Sequence, residues 1–297
     1  MDPRALMAIQ NLEWRARVVV EGFWSGLHRS PYHGFSVEFS EYRQYAPGDD
    51  PRFLDWRLYG RTDRHFVRKF EDETNLRCFL LLDLSKSMDY ASRGVLKADY
   101  ARTLAATLAR FLHLQGDAVG LLSFDERIRE AVPARNRPGH LRRLMLALEK
   151  ECGGVGTDLA TPLKRLLEIL KRRSLAVFIS DFMSPLDGFE LPLGTLRAGG
   201  HEVVVFQIAD PMEEDLDFGD TVRLKDLETG REIDLDAPTF RERYRAKRAA
   251  HRQALEAICA RHGTAVRVLR TDTPLEWALL DFLKARRQRG RGNAARM

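Results

Sequence analysis

The residues most able to do chemistry stand in the stretch Phe79 to Ser87, which reads F-L-L-L-D-L-S-K-S. A short apolar run, Phe79 to Leu82, ends in Asp83, and Ser85 and Ser87 follow at alternate positions. Alternate residues of an extended segment point the same way, so Asp83, Ser85 and Ser87 can offer one carboxylate and two hydroxyls to a common point. Two other segments carry matching groups. Asp181 ends a second apolar run, Ala176 to Ser180, and Thr157 sits in the glycine-rich turn Gly153 to Asp158 ahead of a predicted helix. An all-oxygen set of this kind suits a hard cation, magnesium above all, which keeps several waters and needs few protein ligands. Two carboxylates balance a divalent charge and leave an open position that an acidic residue of a partner can fill. Taken alone, D-x-S-x-S also describes ordinary loop and helix-cap residues. Thr157 and Asp181, arriving in order and at comparable places, point to a metal set.

The elements that must position these groups alternate between strand and helix from Arg77 onward. A short apolar run bounded by polar residues suits a strand buried on both faces of a parallel sheet. Such strands are expected to end at Asp83, over Asp117–Phe124, at Asp181, over Val203–Ile208 and over Ala265–Leu269, with a short edge strand over Ile128–Val132. Between them, helices are predicted over Leu96–Leu114, around Leu141–Leu148, after Thr157, near Phe189–Arg197, over Thr239–Arg261 and over Leu275–Arg286. Residues 222–236 read as a hairpin turning at Glu228–Arg231. The fold class is therefore α/β, a doubly wound, mostly parallel sheet. Ligands bind such sheets beyond the carboxyl ends of the strands, where Asp83 and Asp181 fall.

Ahead of the sheet, residues 1–74 read as a mixed α/β segment. A helix over 5–20 would put Met7, Trp14 and Val18 on one side, interrupted by Asn11. A turn-rich loop, Gly26–Gly34, leads to an extended Phe35–Ser40, the proline-bounded turn Tyr45–Arg52, and a strand around His65–Phe70. The expected organisation is 1–74, then 75–285 with the hairpin as an insertion, then a basic, disordered tail over 286–297.

Composition narrows the class. The chain has 297 residues and is 44% hydrophobic, enough for a substantial core. Its net charge of +5 owes much to Lys284–Arg296, which hold six basic groups and no acid. The body is near balance, so a nucleic-acid partner is not expected. The three cysteines, Cys78, Cys152 and Cys259, lack paired spacing, which argues against a disulfide framework or a zinc site. The start, M-D-P-R, has no apolar signal-peptide core, and no apolar run approaches the roughly 20 residues that span a bilayer. A cytoplasmic protein is expected. The arginines of Arg241–Arg248 read as a solvated helix face able to meet an acidic partner.

The set Asp83, Ser85, Ser87, Thr157 and Asp181, carried by D-L-S-K-S-M, G-T-D-L and I-S-D, resembles the metal-ion-dependent adhesion site of von Willebrand factor type A domains. The resemblance covers about residues 75–285. It implies that the serines and threonine contact the metal and that the aspartates act directly or through water. The N-terminal motifs are His28 and Ser30, Gly34, Glu38 and Phe39, Arg43 to Arg52, and Asp55 and Trp56. They resemble the bacterial family filed as domain of unknown function 58, which joins such a segment to a type A domain. That resemblance implies a partner, a MoxR-type AAA+ ATPase or its client, in assembly, maturation or stress-related remodelling. The expected function is then non-enzymatic: a magnesium-dependent protein-interaction module, with manganese or calcium as alternative ions. The competing reading is a magnesium-dependent phosphohydrolase using Asp83 as nucleophile. Against it, the position two residues on, where such phosphatases need an acid, is Ser85, and no motif identifies the lysine they require.

Overall fold

The computed structural model describes residues 1–29, 42–44, 66–68, 76–151, 154, 156–215, 221–225 and 232–283. Its centre is a six-stranded sheet. The strands, in chain order, are β3 (Arg77–Asp83), β4 (Ala118–Phe124), β5 (Ile128–Arg135), β6 (Leu175–Ser180), β7 (Glu202–Ala209) and β10 (Val266–Arg270). They lie in the order β10-β7-β6-β3-β4-β5. All neighbouring pairs are parallel except β4 with β5. The central strands are buried on both faces, as their unbroken apolar runs predict: β6 is buried at every residue and β3 at every residue after Arg77. The edge strand β5, predicted over Ile128–Val132, continues to Arg135. It alternates between exposed and covered residues because only one side meets the core.

Helices cover both faces. On one lie α5 (Ala160–Ile169), α6 (Glu190–Ala198) and the long α8 (Ala237–Arg261). They share a core with Phe79, Leu81, Phe124 and Phe178. Within that core Phe124, Phe178, Phe182 and Phe189 pack edge-on or tilted, with ring centroids 5.1–5.8 Å apart, the geometry aromatic quadrupoles favour. On the other face, α3 (Lys97–Leu114) and α4 (His140–Leu148) bury Leu104, Leu108, Phe111, Leu144 and Leu148. The sheet is doubly wound. A helix over 275–283 follows β10 and buries Leu275, Ala278, Leu279 and Phe282.

Several expectations are corrected. The single helix over 5–20 is two, α1 (Pro3–Met7) and α2 (Leu12–Arg29). Asn11 breaks them apart. Its side chain accepts from the Trp14 N–H at 2.9 Å, the bond of an N-cap. The new start rotates the buried face to Leu12, Ala16, Val19, Val20 and Phe23 and leaves Trp14 58% exposed. α3 begins at Lys97, with Leu96 as its cap residue, so Lys97 rather than Leu96 occupies the buried stripe. The pair β8 (Thr221–Lys225) and β9 (Glu232–Asp236) is antiparallel in the register Thr221↔Asp236, as a hairpin requires. Its turn lies outside the described residues, as do Ser30, Gly34, Phe35–Ser40, Tyr45–Arg52, Asp55, Trp56, Cys152 and the basic tail.

The chain divides into two compact units, residues 24–75 and the remainder. In the smaller, β1 (Tyr42–Gln44) pairs antiparallel with β2 (Phe66–Arg68). Among the described residues, no helix is long and apolar enough to cross a membrane.

Candidate metal centre

The sheet order places the site. From β3 the chain moves one way to β4 and β5. It then returns to the other side of β3 for β6 and continues outward to β7 and β10. The chain thus reverses its direction of travel between β3 and β6, and the carboxyl ends of the strands at such a reversal are the usual ligand site of these sheets. Asp83 ends β3, and Asp181 directly follows β6. Both carboxylates are buried, 0% and 2% exposed.

Asp83 is held from two sides. Its Oδ1 accepts the Ser85 N–H at 2.8 Å and its Oδ2 accepts the Ser180 hydroxyl at 2.6 Å. The first bond tightens the chain after β3 into a turn that brings Ser85 and Ser87 round, their hydroxyl oxygens 3.1 Å apart. Ser85 also bridges Gly154 in parallel fashion, drawing the glycine-rich turn alongside. A side chain could not replace Gly154: a Cβ there would lie 2.4 Å from the Asp125 side chain. Thr157, three residues on, is half-buried. Among the described residues no hydrogen bond ties it to the other four, so the structure joins Asp83, Ser85, Ser87 and Asp181 and does not bring Thr157 into contact with them.

Asp181 owes its orientation to the next residue. Phe182 has φ 53°, the one positive value at a non-glycine among the described residues. Left-handed backbone at a bulky side chain costs on the order of 1–3 kcal/mol and persists where the surroundings enforce it. Here they do. The Phe182 N–H donates to Ser180 Oγ at 2.9 Å, its carbonyl lies 2.7 Å from His251 Nε2, and its ring is fully buried among Phe178 and Phe189. The kink returns the Met183 N–H to Asp181 Oδ1 at 3.1 Å.

Lys97 is the residue the sequence reading missed. Its ammonium, 1% exposed, donates to Asp181 Oδ2 at 2.8 Å and to Glu213 Oε1 at 2.6 Å. Glu213 belongs to the short α7 (Pro211–Asp215) and lies 3.5 Å from Arg248 of α8. Gln207 of β7 donates its amide to the Asp181 carbonyl at 3.1 Å. A lysine in the first turn of a helix opposes the helix dipole, and its place in an apolar stripe was the available signal.

The two acids are in different electrical states. Burial, and then the Asp181 charge, push the Asp83 carboxyl up to about 7, although the Ser180 and Ser85 bonds act the other way. Burial acts on Asp181 too, but Lys97, the Met183 N–H and the Ser87 hydroxyl outweigh it and hold Asp181 below its ordinary value. Burial alone would lower Lys97; Asp181 and Glu213 more than reverse this and keep it charged. The site therefore holds Asp181 in its ionised form, paired with Lys97, while Asp83 is driven toward its protonated form.

The donors fit a hard divalent ion. Octahedral magnesium with oxygens at about 2.1 Å has neighbouring ligand oxygens about 3.0 Å apart, close to the 3.1 Å between the Ser85 and Ser87 hydroxyls. Asp83 retains lone pairs beyond its two bonds. Among the described residues no group of three or more His, Cys, Asp or Glu forms a metal cage, so hydroxyls would have to serve as ligands.

A mostly parallel, doubly wound sheet with carboxylates and hydroxyls at its switch point defines an open-sheet α/β protein. The chain belongs to the family described as protein of unknown function DUF58, whose model matches residues 41–254. It is 32% identical over 293 residues to an uncharacterized protein of Mycobacterium tuberculosis, covering 97% of this chain and 91% of that one. Among solved structures it is similar to the conserved hypothetical protein BatB from Bacteroides thetaiotaomicron, with 13% identity and TM-score 0.47 over 71% of this chain and 98% of that one. It is also similar to the SpRpn10 VWA domain, with 9% identity and TM-score 0.43 over 68% of this chain and 92% of that one.

Proposed function

We propose that this chain is a metal-dependent protein-interaction module. A magnesium ion, or manganese or calcium in its place, sits between Asp83, Ser85 and Ser87, with Thr157 and Asp181 completing the set. Its open position takes a carboxylate from a partner protein. The observation that carries this reading is the junction of four of the five residues at the sheet's switch point, two buried carboxylates with two hydroxyls 3.1 Å apart. The partner expected from the family resemblance is a MoxR-type AAA+ ATPase or its client. Calorimetry tests both parts. Magnesium should bind the native chain and not Asp83→Ala, and the ATPase should bind only the magnesium-loaded native chain. Native protein that takes up no magnesium at millimolar concentration refutes the metal reading. An ATPase that binds Asp83→Ala equally well refutes the bridging role.

Lys97 gives the phosphohydrolase reading a specific observation, since a buried lysine now stands beside the candidate metal. It is poorly placed for that work. Its ammonium bonds Asp181 and Glu213, and Ser85 cannot act as the general acid two residues beyond Asp83. Magnesium-dependent hydrolysis of p-nitrophenyl phosphate that disappears in Asp83→Ala would favour this second reading.

A further inference from the structure

Asp181 enters the site already bound on both oxygens, one by Lys97 at 2.8 Å and the other by the Met183 N–H at 3.1 Å. Among the described residues no ion pair reaches Asp83; its oxygens accept from the Ser85 N–H and from serine hydroxyls. The two acids are therefore unequal partners for a metal. Lys97 is itself shared. It lies between Asp181 and Glu213, and the Tyr90 ring centroid is 5.8 Å from its ammonium. Glu213 is divided in turn with Arg248 at 3.5 Å. This alternation of sign runs from the sheet edge through α7 to α8 and is almost wholly buried, so solvent screens it little.

We infer that Lys97 is a positioning residue that holds Asp181 away from direct metal coordination and so makes the loaded centre select an anionic ligand. The inference rests on the metal-binding reading above. With Asp181 engaged by Lys97, the ion receives one carboxylate directly, from Asp83. Its remaining ligands are neutral hydroxyls and water. One unit of the ion's charge stays unbalanced by protein, and the fixed positive charge of Lys97 nearby adds to it. A partner carboxylate supplies what is missing. Without Lys97, Asp181 would be free to balance the ion itself, and an outside carboxylate would gain little.

The prediction has opposite signs for Lys97 and for its second carboxylate partner, Glu213, which a merely structural role would not produce. Lys97→Gln keeps a hydrogen-bond donor and removes the charge, so Mn2+ should bind about tenfold more tightly. Acetate should then no longer displace water from the bound ion. Glu213→Gln leaves Lys97 undivided on Asp181, so Mn2+ should bind more weakly while acetate binding to the loaded protein is kept or strengthened. The measurement is Mn2+ binding by electron paramagnetic resonance, with acetate binding read as the loss of water-proton relaxation enhancement, after circular dichroism confirms that each variant is folded. Should Lys97→Gln fail to fold, Glu213→Gln with Lys97→Arg decides. The arginine keeps the charge and should leave the acetate response intact. Weaker Mn2+ binding in both Gln variants would overturn the inference while leaving the metal site standing. Mn2+ binding by Lys97→Gln but not by the native chain would refute the metal reading for the native protein and support the restraint in its strongest form. No Mn2+ binding by any of them refutes both.

Discussion

Asp83→Asn isolates the energetic burden that the candidate site carries without metal. The amide matches the carboxyl in shape and is neutral at every pH. Its oxygen still accepts the Ser85 N–H, and the Ser180 hydroxyl can rotate to accept where it formerly donated. In the native protein Asp83 titrates at about 7 against an ordinary 3.8. An unfolded chain has lost that proton by pH 5, and the folded one keeps it until about pH 7. The folded state thus binds more protons across this window, and stability falls as pH rises through it, becoming flat above. At about 1.4 kcal/mol per pKa unit, the cost is roughly 2 kcal/mol at pH 5 and roughly 4 kcal/mol at pH 8. Asp83→Asn escapes it. Urea unfolding in EDTA should show the variant gaining roughly 2–3 kcal/mol on the native chain between pH 5 and pH 8. Magnesium at pH 8 should reverse the gap by stabilising the native chain alone. A stability difference that is flat with pH, or that widens toward acid, would refute the claim that Asp83 is a buried carboxyl kept protonated by Asp181 and burial.

Four other outcomes follow from the same geometry. Ser87→Ala removes one hydroxyl that faces both Ser85 and Asp181, and should weaken magnesium binding about tenfold with little change in unfolding free energy, since a net hydrogen bond is worth about 1 kcal/mol; calorimetry and urea titration separate the two. Gly154→Ala drives a methyl group against Asp125, which Arg129 holds in place, and should cost about 1–3 kcal/mol while loosening the turn that carries Thr157; unchanged stability and magnesium affinity would show the turn to be irrelevant. Phe182→Ala removes a fully buried ring and should cost about 3–5 kcal/mol in urea unfolding, with weaker magnesium binding because the kink that aims Asp181 loses its anchor. Cys78 and Cys259 are buried thiols outside any disulfide, and burial pushes the Cys259 thiol up to about 12. Both should resist DTNB at pH 8 until denaturant is added, and rapid labelling of a Cys152→Ser variant would contradict this.

The central sheet was legible because strands buried on both faces leave unbroken apolar runs, and turns of polar residues cut those runs at Asp83 and Asp181. Periodicity was less reliable at the N-terminus. There the helical spacing of Met7, Trp14 and Val18 predicted one face, and the Asn11 cap restarted the helix on another. A residue that can occupy either a helix interior or a cap is decided by the backbone bond it makes, which spacing does not express. β5 likewise ran on to Arg135 through Pro133, a residue without an N–H to give. An edge strand tolerates this because one side of it has no ladder to complete.

The site divides along the same line. Asp83, Ser85 and Ser87 were readable because their relation is local: an extended chain and one turn, closed by the Ser85 N–H onto Asp83. Asp181 was readable from its place at the end of a strand, since parallel strands bring their carboxyl ends to one edge. Lys97 obeys neither rule. It is 84 residues from Asp181 and 116 from Glu213, and its helix register suggests only a lysine misplaced among leucines. A buried ammonium is costly unless carboxylates surround it, so its presence in the first turn of α3 implies acids above it. The sequence contains the anomaly, and the fold supplies its partners. The motif gives a list of oxygens, while Lys97 makes two chemically identical aspartates unequal, one driven toward its protonated form, the other held ionised and already engaged.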